Sequence, residues 1–435
     1  MNKRTLLLRA PISTMSGYGR WSRQIISSIL RSEQSKYLDL YIWDVNWGET
    51  PHTGLDEDTE ENKQIKEIIA KGQCPNRPEI FLTCTIPNEF EKVGEKFTGG
   101  ITAACETDRI SPKWINQINS TCDMVYAISN WTAQMMRVTS YNEKLGNEAG
   151  PVMRIIKIDK PITIWSPCVD TSIYNPKVKC RLNLQFETTK NFLFVGHWLK
   201  GDYGKDRKNI GVLIRTFLQT FLGQTDVGLI LKTSSAHFSL MDRTSIKKKI
   251  EMIKQTMIHN PQGLSLPKIY LIHGELSEKE MAQLYRHPSV IGYVSAHHGE
   301  GWGYPIAEAM ACNVPALVVP WSGTVDFLKQ DCFLPLKFEV KEIPDDCLWD
   351  DIFIKGARWA NVDEQVLSQG MFWIYNNIPK AREFGVRGGE HIRNNFDTNM
   401  LDAVTNINLK YILDYVENRV DTSIFPFRRL KSENI

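Results

Sequence analysis

Two carboxylates, Glu300 and Glu308, flank a short loop that carries Gly301 and Gly303, with seven residues between them. A carboxylate accepts hydrogen bonds from hydroxyls, and a helix N-terminus offers free N–H groups and a positive dipole end that suit an anion. A loop that holds a diphosphate beside two acids that hold hydroxyls makes a pocket for a sugar nucleotide. The competing reading makes Glu308 a helical acid favoured by the dipole and Glu300 a solvated loop charge, and spacing alone does not separate the two.

The elements needed to position these acids are legible around them. An apolar run at 290–294 leads into the loop, and Pro305 suits the first position of a helix, where its missing N–H costs nothing. Small and apolar residues fill 306–311, and a second apolar run follows at 314–319. Strand, glycine loop, helix, strand is half of a parallel α/β sheet, which binds ligands beyond the carboxyl ends of its strands. Upstream, residues 191–196 read as a strand, followed by the polar stretch His197 to Asp206. Arg207, Lys208 and Asn209 then open a helix whose apolar face is Ile210, Leu213, Ile214 and Phe217. Strands recur at 227–232 and 268–272, and Ser277 with Glu280 forms a capping box. A further glycine loop with Gly323 and Thr324 follows at 320–326.

The first half repeats the pattern. A strand at 5–8 enters a loop with Gly17 and Gly19, an amphipathic helix carries Trp21, Ile25, Ile26 and Ile29 on one face, and a second strand spans 38–45. Gly17 and Gly19 with Asp44 leave an NAD-dependent oxidoreductase as an alternative, although Ser22 stands where a dinucleotide fingerprint places its third glycine. A tight strand-to-helix turn explains the pair as well. Strands at 80–86, 100–104, 124–128 and 162–165 follow, with Glu106 at the carboxyl end of one of them. Asp56, Glu57 and Asp58 lie in a polar loop with no strand entering it and read as solvated charge, with no metal site. The first domain closes near residue 180. A second covers 181–375, and 376–435 is a helical segment packed across the junction, since helical patterns at 366–375, 381–394 and 400–416 follow with no strand among them.

Composition agrees with two soluble α/β domains. The chain has 435 residues, a formal charge of +2, 23% charged and 42% hydrophobic residues. No clustered basic charge supports duplex nucleic acid as a partner. Lys247, Lys248 and Lys249 read as the solvated face of a helix. Nine cysteines without a close pair fit reduced thiols in a cytoplasmic protein, neither a disulfide framework nor a zinc site. The apolar run after Arg4 is too short for a signal peptide. Arg20, Arg23 and Arg31 share the polar side of the first helix, where they would be solvated or touch an anionic membrane surface.

Taken together, the motifs resemble those of the retaining glycosyltransferases of the GT-B fold, in particular family 4 (group 1). The segment from Glu300 through Gly301, Trp302, Gly303, Tyr304 and Pro305 to Glu308 is similar to that family's paired-glutamate motif. Gly196 with Arg207 and Lys208 resembles its donor-phosphate segment, and Trp321 to Thr324 its second-domain glycine loop. The resemblance implies two Rossmann-like domains facing a cleft, with C-terminal helices crossing back to the first domain. It implies transfer of a hexose from a nucleoside diphosphate sugar to a hydroxyl, with retention and without a metal or other cofactor. Glu308 would hold the ribose, Glu300 the transferred sugar, backbone N–H groups of Gly301 to Tyr304 its orientation, and Lys208 with Arg207 the departing diphosphate. Gly323 and Thr324 would complete the donor site, and Gly17, Gly19 and Glu106 would face the acceptor. The chain departs from the pattern at His197, where many members carry an arginine, and in the inserted stretch before Arg207. Lys200 or Arg207 would take the missing role. A catalytically inactive binding protein of the same fold is the third alternative. The acceptor, whether glycan, lipid-linked sugar, protein or modified nucleobase, is not legible, and neither is the oligomeric state.

Overall fold

The computed structural model describes residues 3–103, 105–145, 152–199, 201, 203–235, 238–257 and 263–418. Ala104, Lys200 and the ends of the chain lie outside them. The first domain contains β1 (Arg4–Ala10), α1 (Gly17–Arg31), β2 (Leu38–Asp44), α2 (Glu60–Ala70), β3 (Ile80–Cys84), β4 (Phe97–Thr102), α3 (Pro112–Thr121), β5 (Met124–Ala127), α4 (Asn130–Val138), β6 (Ser140–Leu145), β7 (Val152–Lys157) and β8 (Ile162–Ile164). Its six-stranded sheet runs β2-β1-β3-β4-β5-β8 with every pair parallel. Strands β3, β4 and β5 are buried along their whole length, as expected of a parallel sheet covered on both faces.

The second domain repeats the plan with β9 (Lys190–Val195), α5 (Ile210–Thr220), β10 (Val227–Lys232), α6 (Leu240–Gln255), β11 (Lys268–Ile272), α7 (Glu278–Tyr285), β12 (Val290–Ser295), α8 (Tyr304–Ala311), β13 (Ala316–Val318) and β14 (Leu334–Pro335). Its sheet order is β11-β10-β9-β12-β13-β14, again parallel. In each sheet the order reverses at one point, between β1 and β3 in the first and between β9 and β12 in the second. The loops after β1, β9 and β12 therefore open at switch points, the positions where open α/β sheets bind ligands. The first of these loops ends at Ser16, which caps α1 ahead of Gly17 and Gly19 in its first turn, and the other two carry Lys208 and Glu300.

The chain then forms β15 (Phe338–Glu342) and β16 (Arg358–Val362), an antiparallel pair, before α9 (Glu364–Asn376), α10 (Ile378–Asn395) and α11 (Thr398–Val416). This pair corrects the expectation of a strand-free C-terminal third. β15 is largely exposed, and β16, although it buries Trp359, Ala360 and Val362, is interrupted by Arg358 and Asn361, so neither shows the continuous apolar run by which buried strands are recognised. The antiparallel pair β6–β7 went unseen for a similar reason. Pro305 occupies the second position of α8, after Tyr304.

The last two helices divide between the domains. In α10, Arg393 donates to the Ala311 carbonyl at the end of α8 at 2.6 Å. In α11, Asp402 accepts from Arg31 Nε and Nη2, each at 2.9 Å, and from Ser28 Oγ at 2.6 Å, while Thr405 receives the Trp165 indole N–H at 2.9 Å. Between these helices the Phe396 carbonyl accepts from Val169 N–H in the interdomain linker. Other contacts join the domains directly. Asp326 of the second domain accepts from Asn130 N–H at 2.6 Å and from its side chain at 3.0 Å, at the positive end of α4. Beside it, Trp131 of the first domain meets Trp321 of the second edge-on, with ring centroids 4.5 Å apart.

The three arginines of α1 are not a solvated or membrane-facing set. Arg31 binds Asp402 and Glu61, Arg23 donates to the Ile12 and Thr14 carbonyls, and Arg20 reaches the second domain. All nine cysteines are unpaired. Lys249 leans over the Trp198 ring at 5.1 Å instead of projecting into solvent. No helix among the described residues is long and apolar enough to cross a membrane.

Candidate functional site

The loop that carries Glu300 is held from three sides. Ser322 Oγ accepts from Glu300 N–H at 2.7 Å, and Gly323 N–H donates to the Glu300 carbonyl at 2.9 Å. His298 N–H donates to the Arg207 carbonyl at 2.9 Å, which ties this loop to the segment after β9. Gly303 adopts φ +99 as the N-cap of α8, a left-handed conformation that favours glycine. At Gly299 a side chain would collide with the Glu106 carbonyl of the first domain, so the loops of Glu106 and Glu300 meet closely there. Cys105, just before Glu106, holds φ 135, a strained value for a residue with a side chain.

Around Glu300 these loops assemble four charges. Lys208 Nζ donates to Glu300 Oε1, and Arg207 bridges Glu106 at 2.6 Å and Glu300 at 3.4 Å. Glu300 and Lys208 are buried. Burial alone would push the Glu300 carboxyl up, but Lys208 and Arg207 override it and hold the group at about 2. Burial lowers Lys208, opposed by Glu300, and burial raises Glu106, opposed by Arg207. The result is an ionised acid beside two cations at a switch point, a group that can grip hydroxyls next to a place for an anion.

Around Glu308 a second cluster forms. Arg20 of the first domain donates to Glu308 Oε1 and sits 3.3 Å from Glu278. Tyr285 Oη donates to Glu308 Oε2 at 3.0 Å. The Arg20 guanidinium lies 4.6 Å above the Tyr304 ring, and Tyr304 Oη donates to Gln24 of α1 at 2.9 Å. Burial pushes the Glu308 carboxyl up against the pull of Arg20. Next to this cluster is a cavity of about 260 Å³ between the domains, reached by Arg20, Arg23, Asp56, Glu57 and Glu278. Its wall corrects the view of residues 56–58 as free charge, because Glu57 accepts from Glu278 N–H at the start of α7 at 3.2 Å. Asp56 and Asp58 are exposed. Among the described residues no three His, Cys, Asp or Glu side chains gather as metal ligands.

The sequence-derived candidates thus separate into groups. Lys208, Arg207, Glu300 and Glu106 come together, and Glu308 lies on the same loop–helix unit. Trp302 is a core residue, buried against Tyr304 and Phe327, so only its backbone can serve a ligand. Gly323 and Thr324 are buried supports, with Thr324 Oγ1 donating to the Trp321 carbonyl at 2.9 Å; neither offers a side chain to the cleft. Gly17 begins α1, capped by Ser16, and Tyr18 between the two glycines bonds Thr102 at 3.0 Å and Ala103 N–H at 2.8 Å. Asp44 accepts from Ser13 N–H at 3.1 Å and from its hydroxyl, so it clasps the loop after β1 and is not a free acceptor for a ribose. His197 is bound to Ser234 and Ser235, and burial with Lys232 and Lys208 nearby lowers it to about 4. It is neutral and does not replace a phosphate-binding arginine. Lys200 lies outside the described residues. Arg20, Glu278, Tyr285 and His297 were missed. Arg20 follows Gly19 directly, and that position at a loop–helix junction was the one available signal.

No protein-family model matches the chain, and no curated protein matches it in sequence. Solved structures do. Sucrose-phosphate synthase (tll1590) from Thermosynechococcus elongatus superposes with a TM-score of 0.60 at 13% identity, covering 94% of this chain and 99% of the other. HepE from Anabaena, solved with UDP and glucose, gives 0.54 at 11% identity, with the same coverage. A glycosyltransferase from Rickettsia africae ESF-5 gives 0.55 at 16% identity, covering 95% and 99%. At these identities the likeness shows the fold: two Rossmann-like domains in the GT-B arrangement over nearly the whole chain.

Proposed function

We propose that this protein is a glycosyltransferase that moves a hexose from a nucleoside diphosphate sugar to an acceptor hydroxyl, with retention of configuration. The observation that carries the reading is the buried Lys208–Glu300 pair with Arg207, placed at the switch point of the second sheet and joined by seven residues of loop and helix to Glu308. Departure of a nucleoside diphosphate builds negative charge on its leaving oxygen, and preorganised cations stabilise that charge. Lys208 and Arg207 supply such cations from the protein itself, so the chemistry needs no metal. Glu300 is ionised and can accept from hydroxyls of the transferred sugar. Glu308 can accept two hydrogen bonds from a ribose, and the cavity beside Arg20 and Glu278 leaves space for the nucleoside. HepE with UDP-glucose and trehalose-6-phosphate synthase with UDP-2-fluoro glucose share this fold, which supports the donor class.

Donor binding requires a rearrangement. Arg20 now occupies Glu308, so a ribose must displace it, and Arg20 is then placed to meet the diphosphate. Glu106 and the first turn of α1, with Gly17 and Gly19, would bound the acceptor from the first domain. The oxidoreductase alternative loses its ribose acid because Asp44 is engaged by Ser13.

The test is incubation with UDP-, GDP- and ADP-sugars, with diphosphate release followed and the anomer of the product assigned by NMR. Release with retained configuration is the expected result. Failure of every nucleotide sugar to bind or turn over would remove the reading. Glu308→Ala should abolish the thermal shift produced by the donor, whereas Glu106→Gln should leave that shift in place and lower transfer.

A further inference from the structure

His297 lies three residues before Glu300, fully buried, and neither of its ring nitrogens has a hydrogen-bond partner. Buried polar atoms are almost always paired, and an imidazole with both nitrogens unsatisfied calls for an explanation. Its neighbour His298 shows what a structural histidine does at this place: Nδ1 bonds the Ala360 carbonyl at 2.6 Å, and the ring stacks on Trp359 at 4.2 Å. His297 has no such role. The charged groups whose fields it feels are Glu300, Lys208 and Arg207, with His298 beside it, and burial together with the two cations keeps it uncharged, lowered to about 3.

We propose that His297 is a contact for the donor sugar: an imidazole nitrogen binds a hydroxyl of the transferred hexose, on the same side of the site as Glu300. This rests on the glycosyltransferase reading above. A neutral imidazole carries one donor and one acceptor, so it can complement a hydroxyl whose other bond goes to the acceptor-only Glu300. A site built to bond a hydroxyl discriminates strongly against a ligand that lacks it, since the unpaired group is then left buried. His297 thus acts in choosing the sugar, while the nucleotide end is held by Glu308.

The experiment compares wild type with His297→Leu, His297→Asn and His297→Gln. Melting temperature is measured, and affinities for UDP, GDP and ADP and for their glucose conjugates are obtained by calorimetry. Leucine removes both unpaired nitrogens at similar volume, so it should raise the melting temperature, by roughly 2–4 °C. It should leave the affinity of the bound diphosphate within about twofold and weaken its sugar conjugate by about tenfold or more. Either asparagine or glutamine, whichever places its amide at the used nitrogen, should restore part of the sugar affinity. Unchanged preference for the conjugate in the leucine variant overturns the proposal. So does a lower melting temperature with equal weakening of both ligands, which marks a packing role. If wild type binds none of the diphosphates, the glycosyltransferase reading fails, and the sugar contact with it.

Discussion

Glu300 and Lys208 illustrate how a buried ion pair is a commitment. Each charge has lost its water and is held by the other, with Arg207 as a third member. Removing one partner from such a pair is costly because the survivor stays buried. Lys208→Met should therefore destabilise the protein by about 3 kcal/mol, the low end of that class because Arg207 still faces Glu300. The double variant with Glu300→Gln should recover most of the loss in a denaturant titration. Turnover should not recover with it, staying down by about 10²-fold or more, because the cation for the departing diphosphate is still missing. Arg20→Ala tests the other cluster. It frees Glu308, so nucleotide affinity measured by calorimetry should not fall more than turnover does if the native arginine acts mainly on the diphosphate once displaced.

At the scale of elements, the β15–β16 pair braces the site. Asp108, just beyond Glu106, accepts from Arg358 N–H and Nε, each at 2.7 Å, and its own N–H donates to the Arg358 carbonyl at 3.1 Å. The next turn of β16 supplies Ala360 and Trp359 to His298. One hairpin thus links the first-domain loop of Glu106 to the second-domain loop of Glu300. Asp108→Ala should cost about 1–3 kcal/mol, the range for leaving hydrogen-bonding groups without their partner, read from the denaturant midpoint. This brace was invisible in the sequence, because β16 is only five residues long, its apolar residues broken by Arg358 and Asn361, and its partner β15 carries charge where a buried strand carries apolar residues. The glutamate loop was legible for the opposite reason: buried strand, glycine turn and proline-led helix are all local signals. Arg20 and Glu308 stand 288 positions apart, and only the folded domains bring them together.

At the scale of the whole molecule, buried histidines set the acid limit. His197 and His298 are held near 4 by burial, below the ordinary value of about 6.5. The unfolded chain takes up protons on them as pH falls through 6.5 while the folded chain does not, so stability present above that pH is lost progressively toward 4. Asp206 acts in the opposite sense. It caps α5 and is raised by burial to about 6, so it favours the folded state at low pH and loses that contribution as pH rises through 6. With three histidines, since His297 is lowered in the same way, against one aspartate, the melting temperature should rise from pH 4 to 6.5, and Asp206→Asn should steepen that rise. The ring pair Trp131 and Trp321 has a consequence of its own. Two indoles 4.5 Å apart at 61°, one from each domain, couple their electronic transitions, so the chain carries a built-in optical gauge. Any opening of the cleft would dissolve that exciton couplet in the circular dichroism spectrum, without a label and without disturbing either cluster.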